Sequence, residues 1–420
     1  MNLPVPPTRD PAGSDRDEIA PIVAPGPAVL VVLLAASSLT VMAGATIAPS
    51  LPGLARYFSD VPDAEFLARL ALTLPALFIA ITAPIMGLLV DRFGAQRILF
   101  GSTVIFVVGG ASGAIVPDLY PLLVGRALLG VGVAGIMVAT TTLIGGLYPA
   151  AARDSVLGYQ GAAMALGGVV FLTAGGWLAE MNWRFPFYIY ALPLLLLPFI
   201  LTTLPNATPE KDQATERLDT NRMPWMRLGG LYLIALAAMT LFYIVPTQVP
   251  FRLVAAGFED ASLSGYAIAV STFASAMTAL LFGRIKAAIP ATGALGLTFM
   301  GLGLGLLVTG ISDNFLVIAS GMLIAGAGAG LTMPTVNSLV LDTAPARGRG
   351  KATGGLSVSI FLGQFLSPIL FAALSPATTI AGSFLWAGAT ALIVAVSFCV
   401  VLIVLRLRKS ANQSDRKTKS

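Results

Sequence analysis

One stretch of this chain occurs twice, 196 residues apart. Gly125, Gly130, Gly132, Pro149, Arg153, Gly158 and Gly167 recur as Gly321, Gly326, Gly328, Pro345, Arg349, Gly354 and Gly363. Glycine and proline are the residues whose backbone geometry is most special, so identities of this kind at one fixed offset report a repeated architecture. A chain built this way must fold as two related halves. Both halves are also strongly apolar: 56% of the residues are hydrophobic and 11% are charged, where a soluble domain carries about a quarter charged residues. Lipid is the solvent for most of such a surface. Two apolar halves point to a membrane transporter made of repeats.

Composition removes whole classes of chemistry. The chain has no histidine and a single cysteine, Cys399, inside an apolar run. Intrachain disulfides, Cys/His metal sites and His-assisted nucleophilic catalysis are therefore excluded. No cofactor, no metal and no enzymatic activity are expected. The net charge of +5 is divided among short loops and a tail, which fits membrane orientation better than a nucleic-acid footprint, and no nucleic acid is expected. Residues 1–26 are polar and rich in Pro and Asp and read as a cytoplasmic tail without order.

A bilayer core needs about 20 apolar residues in a helix. Twelve segments meet that length, at 28–52, 66–90, 98–116, 120–147, 155–179, 186–204, 227–250, 263–283, 291–311, 315–340, 354–374 and 380–406. The polar stretch 205–226 divides them into six and six. The expected domains are thus a bundle over 27–204, a cytoplasmic linker over 205–226, a second bundle over 227–406 and a basic tail over 407–420. With both termini on one side, that side carries 20 Lys and Arg. The other carries four, Arg56, Arg69, Arg184 and Arg252, and Arg126 alone falls within a span. That excess places both termini in the cytoplasm and the protein in the cytoplasmic (inner) membrane.

The loop after the second span reads Gly87-Leu-Leu-Val-Asp91-Arg92-Phe-Gly94-Ala-Gln-Arg97. Gly87 lets helices approach closely, Gly94 permits a tight turn, and Arg97 sits at the anionic interface. An ordinary positive-inside turn would need only the arginines. GLLVDRFGAQR resembles the signature loop between helices 2 and 3 of the major facilitator superfamily. Span 4, LLVGRALLGVGVAGI, is similar to that superfamily's helix-4 motif, and Met181-Asn-Trp183-Arg184-Phe185 also resembles a turn common there. The resemblance runs from about residue 27 to 406 and is best to the 12-helix drug:proton antiporter branch. It implies an all-α membrane protein of 12 transmembrane helices in two pseudo-symmetric six-helix bundles, the major facilitator fold.

The pattern has gaps. Phe171 and Leu172 stand where that branch carries a Gly-Pro pair in helix 5, although Gly158, Gly167, Gly175 and Gly176 fit. Pro368 lies 196 residues after Leu172, and Gly283-Arg284 replaces the Asp-Arg pair in the second half.

Arg126 lies about two turns, or ~10 Å, into its span. A charge at that depth is costly and commonly functional, although an Arg nearer a helix end can snorkel to the headgroups. The resemblance implies a part in proton coupling or substrate anchoring. All twenty Asp and Glu fall in loops, tails or span ends, so a midplane proton carrier is missing. If protons are coupled, the candidates are peripheral: Asp91, Asp154 and Asp342, with Glu65 and Glu180 on the far side. Asp91 has a second reading, docking on the N-terminus of helix 11 near Ala352 to latch the halves together. The latch and coupling set is Gly87, Asp91, Arg92, Gly94, Arg97, Arg126, Arg153 and Asp154. Hinges are expected at Gly167, Gly175, Gly176, Gly326, Gly328, Pro334 and Pro368.

In this fold helices 1, 4, 7 and 10 line the cavity, with help from 2, 5, 8 and 11. The candidate lining is Met42, Arg126, Met137, Thr141, Gln160, Met164, Tyr243, Gln248, Thr332, Met333, Asn337, Phe361 and Gln364, with Thr40 beside them. Amides, hydroxyls, thioethers and rings make an adaptable apolar pocket, although any one of them also serves as interhelical packing. The expectation is a monomeric exporter of small amphipathic or lipophilic compounds by alternating access, with proton antiport as one form of coupling. An uptake permease or uncoupled facilitator, and a transporter-like sensor, remain alternatives. The partners expected are a small-molecule substrate, the lipid bilayer and, for antiport, protons.

Overall fold

Within a bilayer no water is available to the backbone, so a spanning segment must satisfy its own N–H and C=O groups, and a helix does so. The computed structural model describes residues 26–205, 223–345, 348–374 and 379–418, and their side chains except at 150, 151, 154, 374 and 404–418. The tail expected over 1–26, most of the linker 205–226, the side chain of Asp154 and those of the basic tail 407–420 lie outside the described residues. Among the described residues the regular structure is entirely helical and twelve helices are long and apolar enough to cross a membrane. They are α1 (Pro27–Tyr57), α2 (Ala64–Phe93), α3 (Ala95–Ala114), α4 (Leu119–Leu147), α5 (Ser155–Met181) and α6 (Phe185–Thr203) in the first half. The second half has α7 (Trp225–Ala255), α8 (Ala261–Leu280), α9 (Ala291–Ile311), α10 (Phe315–Thr343), α11 (Arg349–Ala373) and α12 (Ile380–Ile403).

The repeat in the sequence is a repeat of helix contacts. A Cβ on Gly109 of α3 would strike the backbone of Leu129 and Gly125 in α4, and a Cβ on Gly305 of α9 would strike Ala325 and Gly321 in α10. Gly132 abuts Phe106 N and Ser102 O, and Gly328 abuts Leu302 N and Thr298 O. Gly130 meets the backbone of Pro75 in α2, and Gly326 meets that of Ser271 in α8. Every partner in the second half stands 196 residues after its counterpart. Small residues let helix backbones touch where lipid supplies no hydrophobic drive, and both halves use the same points.

Several helices are interrupted. α1 is helical over Pro27–Ala45, turns through a 3₁₀ segment at Ala48–Ser50 and resumes at Leu51–Tyr57. α7 breaks at Tyr243 and α10 at Gly330–Leu331. Pro75 and Pro84 lie inside α2. Two spans run further than hydropathy suggested, because their outer ends carry proline and polar residues that end an apolar run without ending a helix. Arg126 is not the sole basic residue within a helix, through the longer α7 in the case of Arg252 and already within the 66–90 span in the case of Arg69. Arg69 lies inside α2, and Arg252 lies inside α7 at 2% exposure, donating to Thr309 O, Ser312 O and the Asp313 carboxylate.

With an even number of crossings, both ends of the described chain share one face, here the near face. The halves meet on the far face and down to mid-depth. Arg56 pairs with Glu259 at 3.2 Å, the Arg69 guanidinium lies 4.2 Å from the Phe251 ring, and Trp177 donates to the Tyr266 hydroxyl at 2.6 Å. Gly176 abuts the α8 backbone at Ser262 and Gly265, and Gly168 meets Thr272 deeper in. On the near-face ends of α2, α5 and α11, a Cβ at Gly87, Gly158, Gly161 or Gly354 would touch nothing among the described residues. Among the described residues the halves are closed on the far face and apart on the near one.

Candidate functional site

Arg126 sits in α4 at 1% exposure, and two prolines account for its bonds. Pro75 has no N–H, so the carbonyl of Ala71, four residues earlier in α2, has no helical partner. Arg126 Nε donates to that oxygen at 2.9 Å. The end of the first segment of α1 leaves further carbonyls unpaired, and an Arg126 Nη donates to Ala43 O. Gly130, one turn along α4, has no side chain and so lets α4 reach the Pro75 kink. Tyr190 completes the cluster: its ring lies 5.3 Å from the guanidinium and its hydroxyl donates to Ala43 O at 2.8 Å. Arg126 Nη1 has no partner.

The second half carries a different set. Gln248 of α7 is fully buried with both amide atoms unpartnered, and so are the hydroxyls of Ser271, Thr332, Thr335 and Ser367 on α8, α10 and α11. Such groups normally find a partner in protein, water or ligand.

Near the open face the duplication reappears as a lining. Met137 and Thr141 of α4 correspond to Met333 and Asn337 of α10 at the same offset of 196. Thr141, Met333 and Asn337 are exposed and Met137 is half-buried. Gln160 of α5 donates to Ser37 of α1 at 2.8 Å, which ties the two helices together. Met164, Tyr243, Phe361, Gln364 and Thr40 are half-buried. Four expected lining residues do not reach the opening in this conformation, because Met42, Arg126, Gln248 and Thr332 are buried.

The loop residues stand apart from the second half. Asp91 is exposed and makes no hydrogen bond or ion pair, so the docking on α11 is not made here. Gly94 has φ 89°, the turn that its position demands. Arg97 is exposed, Arg92 lies over the Phe93 ring, and Arg153 donates to Gly145 O. Of the hinge residues, Gly167 meets Ser38, Gly175 meets Thr46 O at the break in α1, and Gly176 lies between the halves. Gly326 and Gly328 are contact points in close packing. The break in α10 falls just after them, with Pro334 in the next turn, and Pro368 is buried in α11. Sequence reasoning did not find Tyr190 or Gln96. The Gln96 amide donates to Ile200 O, Leu201 O and Leu204 O at the end of α6. A polar residue beginning α3 was the available signal for Gln96.

Residues 33–354 match the Major Facilitator Superfamily, and residues 231–420 match it again. The chain belongs to that superfamily. As a major facilitator it is a multi-pass secondary transporter of small molecules and not an enzyme. The chain is 27% identical over 293 residues to a 3-(3-hydroxy-phenyl)propionate transporter of Escherichia coli (strain K12), covering 68% of this chain and 72% of that one. It is 27% identical over 380 residues to the class E tetracycline resistance protein of Escherichia coli, covering 86% and 90%. Among solved structures it superposes on a D-xylose-proton symporter with a TM-score of 0.71 and 17% identity, over 88% of this facilitator and 96% of that chain. The likeness to that structure is one of fold.

Proposed function

We propose that this facilitator exports small amphipathic or lipophilic compounds across the cytoplasmic membrane, with both termini in the cytoplasm. The observation that carries the reading is the near-face opening, bordered by Met137, Thr141, Met333 and Asn337, with no acidic residue among those four. Thioethers and small polar groups accept cargo of varied shape. The far-face contacts at Arg56–Glu259 and Arg69–Phe251 form the outer gate, and closing the near face while opening this one completes the cycle. In the closed near face Asp91 docks on the N-terminus of α11. The 27% identity to a tetracycline resistance protein supports export.

Proton coupling runs through peripheral groups in this reading, since the Asp and Glu residues lie at span ends or in loops. Arg126 is the charge that senses the arrangement of α1 and α2, because it is bonded to both. Inverted vesicles test this directly. Imposing an inward-acid gradient should drive uptake of an amphipathic dye, and dye accumulation that ignores the gradient would remove the antiport part.

A second reading is uptake of an aromatic carboxylate. It is favoured by the unpartnered Nη1 of Arg126 and by the likeness to a transporter named for 3-(3-hydroxy-phenyl)propionate. Accumulation of such acids in right-side-out vesicles, with no dye export, would select it.

A further inference from the structure

α6 begins as an α-helix, continues as a 3₁₀-helix over Ile189–Leu196, and becomes α-helical again at Leu197–Thr203. A 3₁₀ helix is thinner than an α-helix, and beside it a crevice of about 560 Å³ opens between α1, α5 and α6. One wall is the stripe Val31, Ala35, Ser38 and Met42 on α1. The other is Leu192, Leu195 and Phe199 on α6, and Phe171 of α5 also contributes. Val31, Leu192, Leu195 and Phe199 are each more than half exposed. α6 packs chiefly against α3 and α1, at the rim of the first half, so the crevice opens to lipid.

We propose that this crevice holds one acyl chain of a phospholipid from the near-face leaflet. Three observations select that occupant. The lining is apolar along its length, as an alkyl chain requires. It runs from Ala28, at the near-face end of α1, to Met42. Fourteen residues at 1.5 Å give ~21 Å, which takes a chain from the near face past the middle of a ~30 Å hydrocarbon core. The mouth is polar: Thr203 lines it, and Gln96 at the start of α3 binds the carbonyls ending α6, with the next residue, Arg97, an exposed cation at the same near-face end for a phosphate. The inner end abuts Met42, whose carbonyl accepts from Thr46 and Tyr190. An occupied crevice therefore braces the same turn of α1 that Arg126 and Tyr190 hold. The proposal requires only membrane insertion and is independent of cargo and direction.

The test uses the full chain in vesicles containing a phospholipid with a diazirine in its acyl chain. Photolysis and peptide mass spectrometry then locate the labels. The face of α12 at Leu392, Ile393, Val396 and Val400, formed by one helix alone, reports ordinary lipid contact. Labelling of peptides containing Val31–Met42 and Leu192–Phe199 is expected to exceed that background about fivefold. Ala35→Phe, which fills the crevice, should return it to background. Leu195→Trp, at an exposed position on the other wall, gives the same readout if the first variant does not fold. Labelling equal to that of α12, or unchanged in both variants, overturns the proposal. So does labelling by a free alkylamine probe alone, which assigns the crevice to a solute. Protection that appears only at high protein-to-lipid ratio assigns it to a second copy and also overturns the proposal.

Discussion

At position 126 the first half buries an arginine. At the equivalent position in α10 the second half buries Met322. The helix that each faces differs in the same way, since α2 has Pro75 and α8 has Ser271 where the two glycines Gly130 and Gly326 make contact. Proline leaves Ala71 O without a donor and Arg126 supplies one. Ser271 keeps its N–H, so Ala267 needs no outside donor and Met322 suffices. The pairing teaches that Arg126 has a structural duty beside any transport role. Unpaired polarity is of different kinds in the two halves: among the described residues it is Arg69 Nε, Arg126 Nη1 and the Tyr148 hydroxyl in the first, and Gln248, Ser271, Thr332, Thr335 and Ser367 in the second. Each half commits a buried arginine to its own main chain, Arg126 in the first and Arg252 in the second, and the second half adds a cluster of unpartnered hydroxyls and an amide.

The comparison is broken most directly by converting the first half to the pattern of the second. Arg126→Met alone orphans Ala71 O within the membrane, leaves Ala43 O to the Tyr190 hydroxyl, and should lower stability by about 1–3 kcal/mol, read by thermal unfolding in detergent. Adding Pro75→Ser restores an amide to Ala71 O and should recover about half of that loss, a non-additivity expected of residues in contact. Transport should stay at least about tenfold down in the double variant, since a tenfold change is ~1.4 kcal/mol. Full transport there would make Arg126 a plug for the kink and nothing more.

The symmetry of packing is tested next. Gly130→Ala and Gly326→Ala each force a methyl into a neighbouring backbone, and each should cost about 1–3 kcal/mol. A large difference between the two would show that one half tolerates separation. Gly158→Ala and Gly354→Ala occupy open space in this state. They should leave its thermal stability within about 0.5 kcal/mol.

Smaller effects separate the two kinds of buried polarity. Tyr190→Phe loses a made hydrogen bond and should cost about 1 kcal/mol. Thr332→Val removes an unpaired hydroxyl and should be neutral or slightly stabilising, while KM for the cargo rises. Unchanged KM would take Thr332 out of the pathway. Asp91→Asn should alter stability least in this open state. It should nevertheless shift cysteine accessibility toward the near-face-open form, because the docked form loses its charge.

Much of this was legible in the sequence. Twelve spans, the duplication and the buried position of Arg126 follow from hydropathy, spacing and depth. The partners of Arg126 did not follow, because Ala43, Ala71 and Tyr190 offer main-chain oxygens and a phenol from distant segments, and a free carbonyl has no letter in the sequence. Pro75 was the clue, since an intramembrane proline announces a carbonyl that needs a donor. Arg252 was missed for a related reason. Hydropathy ends α7 near Pro250, whereas the helix continues to Ala255 and carries the arginine inside. The cavity set was only partly recoverable, because exposure depends on which face is open.

The glycine contacts have a mechanical consequence. Where Gly109 meets Leu129 and Gly305 meets Ala325, main chain rests on main chain with no rotatable side chain between them. Such joints have little compliance. A small tilt imposed at the far-face contacts therefore reaches the near face as a displacement, carried rigidly across these joints, and each half works as a stiff lever that yields first at the breaks in α1, α7 and α10.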